Sequence, residues 1–305
     1  MNLKPKPRTR NAISAFVGFA LLVASASPAA AQAQSKDQQK CLNAMGGYVS
    51  RIDTTQARED QSCVKDYGKG KLTSMTVTEC LLADRKGRMA KLEDKIQEKQ
   101  TDPDRGKCLG DAEPDFGFLA PDAMVDGVAP EQAAFLSVIL GNDPESVIVD
   151  ATDRANRDQV NCQNTIIRTA DKIVATEVKG FKSCMTKGLR SRTDPISSAS
   201  ELAECIDDEK LAEKTDKAEA KLVKMIGKKC TEKSVDWDSV VAGDCASEAN
   251  PTDYASCVRT AADCTACLAI EGGYGIDIDC DAYAGATCEG GPSPRGAFVD
   301  GPILF

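Results

Sequence analysis

Fourteen cysteines and no histidine set the chemistry open to this 305-residue chain. Without histidine there is no Ser-His-Asp triad, no Cys-His pair, no His-ligated metal and no H-E-x-x-H helix. The residues that draw attention are Cys264-Thr265-Ala266-Cys267. A c-type haem site would need histidine next, and Leu268 stands there. A thioredoxin-type pair works at a helix N-terminus, where the dipole lowers the thiol pKa. Here the motif lies well inside a helical pattern. A zinc ribbon would draw on Cys264, Cys267, Cys280 and Cys288, but the second pair is spaced C-x7-C rather than as a tight knuckle. The leading reading is structural: Cys264 and Cys267 bond to different partners in Cys280 and Cys288, and Cys245 pairs with Cys257; the alternative is a thiol-disulfide or metal-binding (zinc or calcium) function in this C-terminal module.

Asp277, Asp279 and Asp281 fall at positions 1, 3 and 5 of an EF-hand-like loop, which makes them weak calcium candidates. The pattern departs where it matters. Position 6 is Ala282 rather than glycine, position 12 is Cys288, and Glu289 comes one residue late. The alternative is a solvated acidic turn between two bridges. Carboxylates are plentiful elsewhere, but no pair is spaced as the acid and base of a hydrolase. Runs such as "KLEDKIQEK" read as solvated helix faces with i,i+4 pairs. No catalytic residue and no cofactor is therefore named, and the chain reads as non-enzymatic.

The N-terminus has the form of an export signal. Lys4, Lys6, Arg8 and Arg10 precede an apolar run from Ala12 to about Ala24, then Pro28 and small residues. Cleavage sites fit after Ala31 and after Ala33. The run is shorter than the roughly 20 residues of a membrane span, and no later stretch reads as apolar enough for one. Removing residues 1–33 moves the formal charge from −9 to −13. An acidic chain argues against gripping nucleic acid or an anionic membrane by charge, and 5% aromatics argue against stacking platforms for bases or sugars. The partner expected is an unknown protein or envelope component. Export to the periplasm or the exterior puts all fourteen cysteines in an oxidising compartment, where seven disulfides are the default.

The first eight cysteines form two quartets, Cys41, Cys63, Cys80, Cys108 and Cys162, Cys184, Cys205, Cys230, related by offsets of 121, 121, 125 and 122. Flanking residues agree, with "ECLLADRK" matching "ECIDDEK" and "GKC" matching "GKKC". This is a tandem duplication. Each unit carries two helix-period apolar stripes: Leu42, Met45, Val49, Ile52 and Leu82, Met89, Leu92, Ile96 in the first; Ile166, Ala170, Ile173, Phe181 and Leu211, Ala218, Leu222, Met225 in the second. Gly46-Gly47 weakens the first stripe. Gly68 and Gly70, or Pro195 and Ser197-Ser198, separate the arms. Each unit is expected to be an antiparallel helical hairpin.

Geometry then selects the bridges. Cys41 and Cys63 lie 22 residues apart, or about 33 Å along a helix. A disulfide needs Cα atoms within about 7 Å. Joining Cys41 to Cys80 would undo the hairpin. The nested set remains: Cys41–Cys108, Cys63–Cys80, Cys162–Cys230 and Cys184–Cys205.

The expected organisation is all-α. Residues 1–33 form the signal, 34–108 the first hairpin unit, 109–160 a linker with short helices, 161–230 the second hairpin unit, 231–289 a Cys-rich module and 290–305 an unstructured tail. In the linker, 130–141 reads as a helix stopped by Gly141. Another is expected to start at Asp143-Pro144 and run toward the second unit. In the C-terminal module a helix is expected from Asn250-Pro251 to Gly272-Gly273, with Cys257, Cys264 and Cys267 on one face. The pattern "ASCVRTAADCTAC…DCDAY…TC", behind units opening with "KC" and closing with "GKC", resembles a group of uncharacterised exported bacterial proteins. These combine Cys-punctuated helical repeats with a C-terminal C-x-x-C…DCD module. The resemblance covers most of the mature chain and brings no activity or cofactor. The twin-Cys hairpins of mitochondrial import substrates share the stapling logic, at much shorter spacings.

Overall fold

The computed structural model describes residues 33–248 and 250–288. The signal reading, up to residue 32, and the tail from 290 lie outside them. Nine α-helices and no strand occur among the described residues.

The first hairpin opens with α1 (Lys36–Gly68). Ser35 and Gln38 close its N-terminus reciprocally: the Ser35 hydroxyl accepts from Gln38 N at 3.2 Å, and the Gln38 amide oxygen accepts from Ser35 N at 2.7 Å. The helix runs straight through Gly46-Gly47. The returning arm comes in two pieces rather than one, α2 (Val77–Leu82) and α3 (Arg88–Thr101). Gly87, at φ +59°, turns the chain between them. The Asp84 carboxylate restarts the helix by accepting from Arg88 N and Ala90 N.

The linker contains a core helix that the sequence reading placed only in part. α4 spans Pro121–Leu140, nine residues earlier than the expected start. Pro121 fills its first turn, where proline is suited, and Pro130 sits inside it. Proline normally breaks a helix interior by removing one hydrogen bond. Here packing overrides that cost: Met124, Val128, Phe135, Leu136, Ile139 and Leu140 are all buried. By length and hydropathy α4 reaches the mark of a membrane-spanning helix, contrary to the expectation that no later stretch would. It packs along other helices of the core, and a buried core helix meets the same criteria.

Beyond Gly141 the expected helix at Pro144 is a single 3-10 turn, Pro144–Ser146. The chain then crosses to α5 (Arg157–Gly188). Gln163 of α5 holds this crossing, donating to the carbonyls of Val147 and Val240 and accepting from Val149 N. The second hairpin has the same order of elements, a long helix, a short one and a returning arm. α6 (Ala199–Ala203) is capped by Ser198, a 3-10 turn carries Cys205, and α7 (Glu209–Lys229) is capped by Asp208. The C-terminal module holds α8 (Pro251–Tyr274) and α9 (Cys280–Ala284).

The two hairpins pack on each other through their first helices, and the linker helix packs on the long helix of the C-terminal module. α1 lies against α5 and α4 against α8, with α3 and α7 on the outside of their own hairpins. Both central pairs are antiparallel. Asn43 accepts from Thr186, and Gln61 donates to Asp171; Gly127 near the start of α4 meets Gly272 near the end of α8. At that crossing a Cβ on either glycine would lie 2.3 Å from the other's carbonyl oxygen. Glycine is therefore required for the backbones to touch. This explains why α8 continues past Gly272-Gly273, where the sequence suggested a stop, and ends only at Gly275 in the left-handed region.

Seven disulfides tie the elements. Cys41–Cys108 and Cys162–Cys230 close the open ends of the hairpins, and Cys63–Cys80 and Cys184–Cys205 close the turns. Cys245–Cys257, Cys264–Cys288 and Cys267–Cys280 build the C-terminal module. Such a set fits an oxidising, non-cytoplasmic setting.

Candidate functional site

The C-x-x-C motif is two halves of different disulfides. Asn250 caps α8 by accepting from Thr252 N and Asp253 N, so the helix begins more than three turns before Cys264. A pair so far from the N-terminus gains little from the helix dipole. No cysteine among the described residues is free. The motif's role is to hold two points of the 276–288 loop against one helix.

The three candidate aspartates are not assembled as a ligand set. Asp279 caps α9 through Ala282 N at 2.9 Å, and Asp281 accepts from Cys288 N at 2.6 Å. Two of the three carboxylates thus serve the backbone. Among the described residues no group of three or more acidic or cysteine side chains is placed to hold a metal ion.

Two buried polar clusters were not expected from the sequence. One surrounds Arg259 of α8. Its guanidinium hydrogen-bonds Asp263 one turn on, reaches Asp216 of α7 at 3.2 Å and lies 3.7 Å from the sealed Glu177 of α5. Tyr283 of α9 donates to Glu177 at 3.5 Å. Burial pushes the Glu177 carboxyl well above its ordinary range, and the neighbouring Asp263 adds to this against the pull of Arg259. Burial also raises the Tyr283 phenol. Paired carboxyls of this kind can exchange a proton. Here they join α5, α7, α8 and α9 around one cation.

The second cluster lies between the two hairpins. Asp53 and Asp60 of α1 and Asp171 of α5 are all buried. Asp171 accepts from Gln61 at 2.7 Å and from Gln132 of α4 at 3.3 Å. Asp60 accepts from Gln56 at 2.7 Å. Neither oxygen of Asp53 has a hydrogen-bond partner. Burial, reinforced by Asp171, raises the Asp53 carboxyl to about 7, against the pull of Lys179. Asp171 is raised to about 7 by burial, partly offset by Gln61 and Gln132. Burial drives Asp60 well upward too, with Asp171 next. All three are favoured in the neutral form, in which a carboxyl can also donate.

One signal in the sequence marks this cluster. The stripe Leu42, Met45, Val49, Ile52 continues in register through Gln56 and Asp60 to Cys63. Its apolar residues stop while its register runs on to a bridged cysteine, so polar side chains must be buried there.

A small, partly open pocket lies apart from both clusters, lined by Val64, Lys65, Gly68, Lys69, Ile148 and Gln163. Its volume is about 40 Å³. That is on the scale of a water molecule, roughly 30 Å³, and far below the roughly 300 Å³ of small-molecule sites. No family model, no curated protein and no solved structure matches the chain.

Proposed function

We propose that the protein is an exported, non-enzymatic helical module that acts by binding or by structure in the periplasm or outside the cell. One observation carries this reading. All fourteen cysteines, including those of the only C-x-x-C, are spent in seven bridges that pin helices together. The buried carboxyls fit the same role, because each is packed between helices. The start of α1 also fits signal removal. Gln34 is buried and donates to the Phe116 carbonyl at 3.4 Å, and Ser35 caps the helix. A mature chain beginning at Gln32 or Gln34 keeps every one of these contacts.

Intact mass of natively exported protein, with and without reductant, tests the proposal. The expected result is a mass starting at Gln32 or Gln34, a gain of fourteen hydrogens on reduction, and no alkylation before it. Two reactive thiols at Cys264 and Cys267, or a zinc adduct, would replace it with a redox or metal function in residues 245–288.

A further inference from the structure

The outer face of α7 presents a row of cations. Lys210, Lys214, Lys217, Lys221, Lys224 and Lys228 follow at spacings of four and three, and all six are exposed. At 1.5 Å per residue the row is about 27 Å long, with one ammonium for each turn of about 5.4 Å. The helix keeps its charges apart. At 100° per residue the six lysines fall within one narrow arc, and Glu209, Glu213, Asp216 and Glu219 fall on the opposite side of the buried stripe. Asp216 is turned to Arg259, and only Lys217 has an ion pair, an exposed one with Glu213 at 2.7 Å. Exposed pairs of that kind are worth little. The other five lysines make none among the described residues.

The duplication gives an independent comparison. Arg88, Lys95 and Lys99 on α3 stand 122 residues before Lys210, Lys217 and Lys221. On α3 the row is partly neutralised: Arg88 is bound to the buried Glu59 at 2.7 Å, and Lys99 donates to the Arg105 carbonyl at 3.4 Å. On α7 it is longer and, apart from the exposed Lys217–Glu213 pair, makes no ion pair among the described residues. A solvated helix has no need to gather six of its seven lysines on one side in a chain whose net charge is −9.

We infer that this ridge docks a linear acidic polysaccharide. Charge complementarity sets the sign of the partner, and the single-file row sets its shape. Lysine is a point charge that does not demand the fixed bidentate geometry of arginine, which suits carboxylates repeating along a flexible chain. Helix α7 carries no aromatic residue on which bases could stack and no exposed large apolar residue to enter a bilayer. The inference rests on the reading of the protein as an exported binding module, since only there would it meet such a polymer.

The test is binding of the full, oxidised mature chain to a polyuronate oligomer long enough to span the ridge, between about 50 and 200 mM salt. The expected result is binding that weakens as salt rises, about tenfold weaker in K217Q/K221Q/K224Q. The charge-matched K65Q/K69Q/K71Q is expected to stay within about twofold of the parent. All these positions are exposed, and circular dichroism checks the fold. No binding by the parent, or equal loss in both variants, overturns the inference. So does a preference for polyphosphate, duplex DNA or vesicles of phosphatidylglycerol. Thiol counts on the same sample keep the two readings apart: a fully bridged protein that ignores polyuronate sinks the ridge alone.

Discussion

In the first hairpin α3 buries only Met89, Ile96 and Gln100, and Glu59 of α1 reaches out to Arg88. In the second, α7 buries Leu211, Thr215, Ala218, Leu222 and Ile226. Leu211 presses into Gly180 of α5, where a Cβ would lie 2.2 Å from its Cδ1. The bridges are the same in both, with outer loops of 67 and 68 residues. Bridges therefore set the topology of each unit, and packing sets how firmly the outer arm stays down. Once two covalent ties fix a hairpin, its core can thin from apolar to polar without losing the path of the chain.

Removing the outer bridges gives the largest effects. C41A/C108A and C162A/C230A should each cost about 4 kcal/mol in the chain-entropy picture. The global losses should be similar, and the local ones different. Hydrogen exchange should show α3 losing protection in the first variant, and α7 staying protected in the second. If both arms open alike, packing does not distinguish the hairpins.

The seam between the hairpins holds two carboxyls whose protonation is tied to folding. Asp53 and Asp171 are raised to about 7 in the folded protein, against about 3.9 in an unfolded chain. The groups facing them are Glu59 and Asp60 on α1, Lys179 on α5 and Gln132 on α4. A raised folded pKa means that the native state holds the proton more tightly. Their contribution is thus complete below about pH 4, falls as pH rises toward 7, and is flat above. At about 1.4 kcal/mol per unit, a rise of about three units is worth on the order of 4 kcal/mol for each group. The melting temperature should fall across that window. Asp53→Asn should flatten the fall and raise the melting temperature at about pH 8. A curve unchanged by Asp53→Asn would mean that water already reaches the seam.

Within the hairpins, Leu211→Ala should cost about 3 kcal/mol, because it empties a contact that Gly180 exists to allow. Met89→Ala should cost about 2 kcal/mol, at the low end for such changes, since its surroundings are partly polar. Urea midpoints measure both. Equal losses would mean that the first arm is packed as well as the second.

The architecture was legible because cysteine spacing is a hard constraint. Offsets near 121 and the reach of a disulfide leave one nested arrangement for each quartet. What escaped was tertiary. Pro130 looked like a helix start and lies mid-helix, because α4 is held by packing on every turn. Gly272-Gly273 looked like a stop and is instead the crossing with Gly127. Asp53 and Asp171 drew no attention at all, since sequence shows the register of a stripe but not which neighbour covers it. Asp279 and Asp281 looked like cation ligands, because a capping aspartate and a coordinating one are the same residue type at the same spacing.

The smallest expected effect is also the sharpest probe of the two outer arms. Both long arm helices have an aspartate carboxylate at their start, Asp208 as the N-cap of α7 and Asp84 from ahead of the Gly87 N-cap of α3, and the two are used differently. Asp208 accepts from Lys210 N and Leu211 N through the same oxygen. Asp84 spreads its bonds, one oxygen to Arg88 N at 2.6 Å and the other to Ala90 N at 2.9 Å, beside a Gly87 that offers no side-chain cap. Alanine should cost about 1 kcal/mol at either site. Asparagine separates them, because it keeps one acceptor oxygen and turns the other into a donor. Asp208→Asn should be nearly neutral, within a few tenths of a kcal/mol, whereas Asp84→Asn should retain only about half of the cap. Thermal melts of the two asparagine variants measure the difference. Its absence would show that Gly87, rather than Asp84, restarts the first outer arm.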